Sequence, residues 1–106
     1  MLFALLVGAI PNMSDLLSDA IVDEQLKELP GWERVRDSLQ KEFTFDSFPS
    51  AIAFAVRLAF ESETVDHHPD IMIQYKRVKL TYSTHSAGGL TQKDIDGARI
   101  ANQVMS

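Results

Sequence analysis

Apolar residues change their spacing twice between Leu39 and Thr84, and that change restricts the fold more than any other feature of the chain. Leu39, Lys41, Phe43 and Phe45 alternate with Gln40, Glu42 and Thr44, the period of a half-buried antiparallel strand. Lys41 is expected to pack its stem and keep its head in water. From Phe48 onward the spacing is three and four instead. Ile52, Ala55, Val56, Ala59 and Glu63 form one row, and Phe48, Ala51, Phe54 and Leu58 a second. Asp46 or Ser47 suits the cap of this helix, with Pro49 in its first turn. Pro69 stops it near Asp66 or His67, because a proline disfavours helical geometry in the residue before it. Residues 71–75 and 78–84 then alternate again, joined through Lys76-Arg77 as a hairpin.

The flanks complete the pattern. Ser18 and Asp19 open a helix over about residues 19–29 with Ile21, Val22, Leu26 and Leu29 in its stripe, and Pro30-Gly31 close it. Residues 32–36 suit a short strand and Asp37-Ser38 a turn. Ala87-Gly88-Gly89 reads as a flexible loop, and Thr91 with Asp94 as a capping box opening a last helix through Ile95, Ala98, Ala101 and Met105. The order α-β-β-α-β-β-α predicts an α+β fold, with helices packed on one face of a four-stranded antiparallel sheet. A central helix apolar over so much of its circumference is expected to be buried twice, by the sheet and by another subunit.

The chain's 106 residues suit one domain, expected over residues 13–106. The apolar residues 1–12 precede it as an extension. They carry no basic flank, so a native start at Met13 is the preferred reading and a segment docking on a neighbouring subunit the other. Cysteine is absent, which excludes disulfides, thiolate metal sites and cysteine nucleophiles, and fits the reducing cytoplasm. A net charge of −5 without a basic cluster argues against direct nucleic-acid binding. No apolar run approaches the ~20 residues of a membrane span.

Chemistry is concentrated in three histidines, His67, His68 and His85. The first two follow the central helix and the third follows the last strand, so a hairpin returns all three to one end of the sheet. Histidine is the side chain best suited to give or take a proton near neutral pH. Glu63, four residues before His67, is placed to orient that ring on a helix. Two or three histidines with Asp66 or Asp70 are also possible zinc ligands, but adjacent histidines lack the i, i+4 spacing of helical metal sites. Ser83 and Ser86 flank His85 without a nucleophile elbow. Asp94 has a structural reason to be where it is, as the third residue of the capping box.

Together these residues resemble the pterin-4a-carbinolamine dehydratase family, also called the dimerisation-cofactor family. The matching core is Glu63-Thr-Val-Asp-His67-His68-Pro69, with Tyr75, His85 and Asp94 following at the family's spacing. Gly31-Trp32, Phe43-Thr-Phe45, Phe48, Ser83-Thr84-His85 and Gly88-Gly89-Leu90-Thr91 support it, over about residues 18–106. The resemblance implies a hydro-lyase that converts 4a-hydroxytetrahydrobiopterin to quinonoid dihydropterin and water, in recycling the hydroxylase cofactor, with no metal or organic cofactor. It also implies a homodimer or homotetramer, and in some members a helical protein partner, which gives a non-catalytic, coactivator-like module as the alternative. By resemblance His67 and His68 are the acid and base, and His85 assists. Glu63 orients His67, Asp94 closes the site or contacts the pterin, and Pro69, Ser83, Thr84 and Ser86 shape or contact the ring. Ile71 stands where an aromatic residue is common, and Lys76 where the hairpin turn usually has Asn.

Overall fold

Helix starts follow the capping residues closely. In the computed structural model, which describes residues 15–106, Ser18 accepts a hydrogen bond from the Ile21 N–H and opens α1, Asp19–Leu26. The expectations for residues 1–12 and for a start at Met13 lie outside the described residues. α1 is shorter than its apolar stripe. Glu28 N–H turns back to Gln25 O and Leu29 N–H to Leu26 O, the three-residue spacing of a tighter winding. Pro30 is the physical reason, since it disfavours helical geometry at Leu29.

β1 (Glu33–Val35), β2 (Ser38–Thr44), α2 (Phe48–Val65), β3 (Asp70–Gln74), β4 (Arg77–Tyr82) and α3 (Gln92–Met105) follow. Ser47 caps α2 through the Ser50 N–H, with Pro49 in the first turn. Among the described residues the order is therefore α-β-β-α-β-β-α, and the strands form one antiparallel sheet ordered β1-β2-β4-β3. This is the α+β architecture read from the sequence. Leu39, Lys41 and Phe43 lie opposite Tyr82, Leu80 and Val78. On that face the sheet meets Ala51, Phe54 and Leu58 of α2 and Ile95, Ala98 and Ala101 of α3 in one buried core.

Three local expectations need correction. Both two-residue turns fall one position earlier, at Arg36-Asp37 and Tyr75-Lys76, between the pairs Val35↔Ser38 and Gln74↔Arg77. The second register sets Ile73 and Ile71 across from Val78 and Leu80 and leaves the amphipathic Tyr75 at the wet tip, 68% exposed. Tyr75, with φ of 53°, therefore takes the left-handed position, and Lys76 only covers its ring. The head of Lys41 is not left to water. It donates to Pro30 O and Asn102 Oδ1, each at 2.8 Å. Asn102 Oδ1 also accepts from Trp32 Nε1 at 3.0 Å, so one amide ties the segment after α1 and strand β2 to α3.

Candidate active site

The last turn of α2 decides where the histidines go. Asp66 is left-handed, with φ 52° and ψ 43°, and His67 N–H reaches back to Ser62 O at 3.2 Å. This closure ends the helix before His67. The i, i+4 geometry expected to bring Glu63 to His67 therefore never forms. Glu63 Oε1 meets His68 Nε2 instead, at 2.8 Å, on the solvent side.

His67 turns inward. Its side chain is 12% exposed against 53% for His68. Its ring stacks on Tyr82, with centroids 5.8 Å apart and planes 19° from parallel. Its Nε2 lies 2.7 Å from Asp94 Oδ1.

Asp94 is fully buried and does the capping-box work expected of it, accepting the Thr91 N–H at Oδ2. The same oxygen accepts the Thr84 hydroxyl at 2.7 Å. A carboxylate only accepts, so the hydrogen in the third bond belongs to His67 Nε2. In the neutral ring the lone pair then lies on His67 Nδ1, whose side of the ring makes no hydrogen bond found among the described residues. Asp94 bears on the cleft through this ring rather than by touching its contents.

β4 delivers the third histidine. Thr84 O accepts the Ala87 and Gly88 N–H groups, and Thr84 bridges to Gly89. His85–Ala87 is thus a single 3-10 turn, closed by Gly88 at φ 79°. The segment expected to be a flexible loop is tied down, with Ala87 and Gly89 buried. Ser83 Oγ donates to Asp37 O at 2.9 Å and fixes this turn to the first hairpin.

Two clefts meet here. One of about 620 Å³ runs over the open end of the sheet between Arg36, Gln40, Asp70 and the His68–His85 wall. The other, of about 360 Å³, is walled by His67, His68, Ser83, Thr84, His85, Ser86 and Lys93. His68, Ser83 and His85 border both, so the topology does bring the three histidines together. Pro69 directs the chain from His68 into β3 and borders neither cleft. Either volume falls in or near the range of small-molecule sites. Among the described residues no group of three or more His, Cys, Asp or Glu side chains is arranged to hold a metal ion.

Sequence reasoning missed Tyr82 and Lys93. Tyr82 looked like one more inward residue of a strand, and only its pairing with the helix-end histidine distinguishes it. Lys93 carried no signal beyond its place beside Asp94. Burial pushes the Tyr82 phenol up to about 12, with the nearby Ser62 hydroxyl opposing and the Asp94 charge adding to the rise. The folded protein holds this proton where the unfolded chain, at ~10, releases it. The stabilisation is full below pH ~10 and is lost as pH rises toward 12, about 2–3 kcal/mol in all. Urea unfolding across pH 10–12 is expected to show that loss in the wild type and not in Tyr82→Phe. Lys41, lowered by burial, acts oppositely at lower pH and cancels in the comparison. Parallel curves for the two proteins would refute the assignment.

The chain is thus an α+β domain whose helix end and strand end present three histidines to one cleft, one of them held by a buried carboxylate. Comparison with known proteins names the family. Residues 15–104 match the model of pterin 4 alpha carbinolamine dehydratase, and the chain belongs to that family. A Roseiflexus sp. (strain RS-1) protein named "Putative pterin-4-alpha-carbinolamine dehydratase" is 50% identical over 93 residues, 88% of this chain and 100% of that one. A protein of the same name from Thermosynechococcus vestitus is 45% identical over 92 residues, 87% of this chain and 97% of its own. The crystal structure of a transcriptional coactivator/pterin dehydratase from Brucella melitensis superposes with a TM-score of 0.81 at 35% identity, over 85% of this chain and 98% of that one. No helix among the described residues is long and apolar enough to cross a membrane.

Proposed function

We propose that the chain dehydrates 4a-hydroxytetrahydrobiopterin to quinonoid dihydropterin and water, in recycling the pterin cofactor in the cytoplasm, by histidine acid/base catalysis. The observation that supports this reading is the His67–Asp94 pair, in which a ring bordering the cleft has its Nε2 on a buried carboxylate. In the reaction the C4a–O bond breaks as C4a=N5 forms. The hydroxyl takes up a proton and leaves as water, and N5 gives one up. His67 Nδ1 is the base for the N5 proton. His68, steadied by Glu63, is the acid that protonates the hydroxyl. His85, between the two clefts, assists the transfer. Ser83 and Ser86 contact the ring, and Pro69 fixes the approach of His68. An acid and a base held in place are sufficient for this chemistry, since no covalent intermediate is required.

The outer face of α2 supports assembly into a homodimer or homotetramer. Val56 and Phe60 are 49% and 73% exposed on a helix whose other side fills the core, and an apolar patch of this kind marks a protein contact. The same face is the basis of the second reading, a module that binds a helical partner without catalysis.

Stopped-flow dehydration of the 4a-hydroxytetrahydropterin tests the choice. The wild type is expected to accelerate the reaction over its spontaneous rate, and His85→Ala to lose roughly tenfold or more of that acceleration. Absence of any acceleration by well-folded protein would remove the enzymatic reading in favour of the binding module.

A further inference from the structure

Behind His67 lies a chain of hydroxyls that the reaction does not touch. Thr84 and Thr91 are 4% and 3% exposed, and their Oγ1 atoms are 2.8 Å apart. Thr84 Oγ1 donates to Asp94 Oδ2 at 2.7 Å. A hydroxyl has one hydrogen to give, so Thr84 must accept from Thr91. Thr91 Oγ1 in turn accepts the Lys93 N–H of the first turn of α3, at 3.3 Å. Every hydrogen in the relay therefore points the same way, from the start of α3 toward Asp94. With the Thr91 N–H also on Oδ2 at 2.9 Å, that oxygen is engaged twice, and Oδ1 is left facing His67 alone.

We propose that Thr84, backed by Thr91, is a positioning residue that sets the tautomer of His67, keeping the hydrogen on Nε2 and the lone pair of Nδ1 toward the cleft. The inference rests on the reading of His67 as the base of a dehydratase. It replaces the expectation of Thr84 as a substrate contact, because the hydroxyl faces the interior and is already committed to Asp94. Without that hydroxyl Asp94 keeps one backbone donor on Oδ2. The carboxylate can then turn about its broad terminal torsion and draw Oδ1 off Nε2, and loss of that bond frees the ring to take either tautomer.

Nitrogen-15 spectra of the full chain labelled at histidine, recorded at about pH 9 where imidazoles are ordinarily neutral, read the tautomer directly and without substrate. The wild type is expected to show His67 as one Nε2–H tautomer. Thr84→Val is expected to show a mixture and a kcat about tenfold lower with KM little changed, as orienting partners behind a functional imidazole behave. Thr84→Ser is expected to restore both. A wild-type spectrum with the hydrogen on Nδ1 would overturn the proposal. So would a Thr84→Val protein that keeps the wild-type tautomer, or one in which only KM rises, the mark of a substrate contact. If Thr84→Val does not fold, the wild-type spectrum and Thr84→Ala carry the same test. Failure of the dehydratase reading is distinguishable, because it appears as absent turnover in wild type whatever the spectrum shows.

Discussion

Asp94→Asn is expected to lower the dehydration rate by about 10²–10⁴ while leaving the fold nearly intact. The size follows from counting hydrogens. Asp94 Oδ2 receives two donors, the Thr84 hydroxyl and the Thr91 N–H, so an asparagine there must place its carbonyl oxygen at that position. Its amide NH₂ then faces His67, where Oδ1 stands 2.7 Å from Nε2. An NH₂ only donates, which forces Nε2 to accept and moves the ring hydrogen to Nδ1. The nitrogen assigned to take the N5 proton is thereby blocked, although no atom of the backbone has moved. The N-cap bonds survive, so melting should change little. Asp94→Ala, by contrast, strands three donors, the Thr84 hydroxyl, the Thr91 N–H and the His67 Nε2–H, and is expected to lose stability as well, by about 1–3 kcal/mol. Stopped-flow rates with a melting curve for each variant separate the two effects. In a His67→Ala background Asp94→Asn should cost almost nothing more, since residues acting as one unit are not additive. A rate within a few-fold of wild type for Asp94→Asn would remove His67 from the role of base.

Element type and order were legible because each rested on period and on a local cap. Ser18, Ser47 and Thr91 each sit where a helix begins, and the inward row of β4 follows from alternation alone. What was not legible was the last half-turn of α2. Whether Glu63 meets His67 or His68 depends on a single left-handed residue, Asp66, and sequence spacing treats the helix as continuing. Asp94 shows the other limit. Its capping role was visible from a four-residue pattern, but its bond to His67, 27 positions away, required α2 and α3 to be packed side by side. The loop after Thr84 misled for a related reason. Two glycines suggested freedom, whereas Gly88 is the left-handed end of a closed turn and Gly89 packs against Leu16.

Gly97 is where the packing of α3 on β4 can be broken with one methyl group, and Gly97→Ala is expected to be a highly damaging small substitution in the core. On an exposed helix the change would gain about 1 kcal/mol of helix propensity. Here an added Cβ would stand 2.5 Å from Tyr82 Cε1 and 2.7 Å from Cζ, inside any tolerable contact. The ring has nowhere to retreat. It is 1% exposed, with Trp32 5.8 Å away on one side and His67 stacked at the same distance. α3 must therefore lift, loosening Ile95, Ala98 and Ala101 from the core, or the ring must push His67 toward the cleft. Overpacking of this kind costs about 1–3 kcal/mol even after relaxation, which for a domain of this size lowers Tm by roughly 5–15 °C. Because His67 leans on the displaced ring, activity measured well below Tm should fall too. Tyr82→Leu in the same chain removes the ring atoms that clash, so Gly97→Ala should cost less stability there than in wild type. If the two costs are equal, the clash with Tyr82 is not what the glycine avoids.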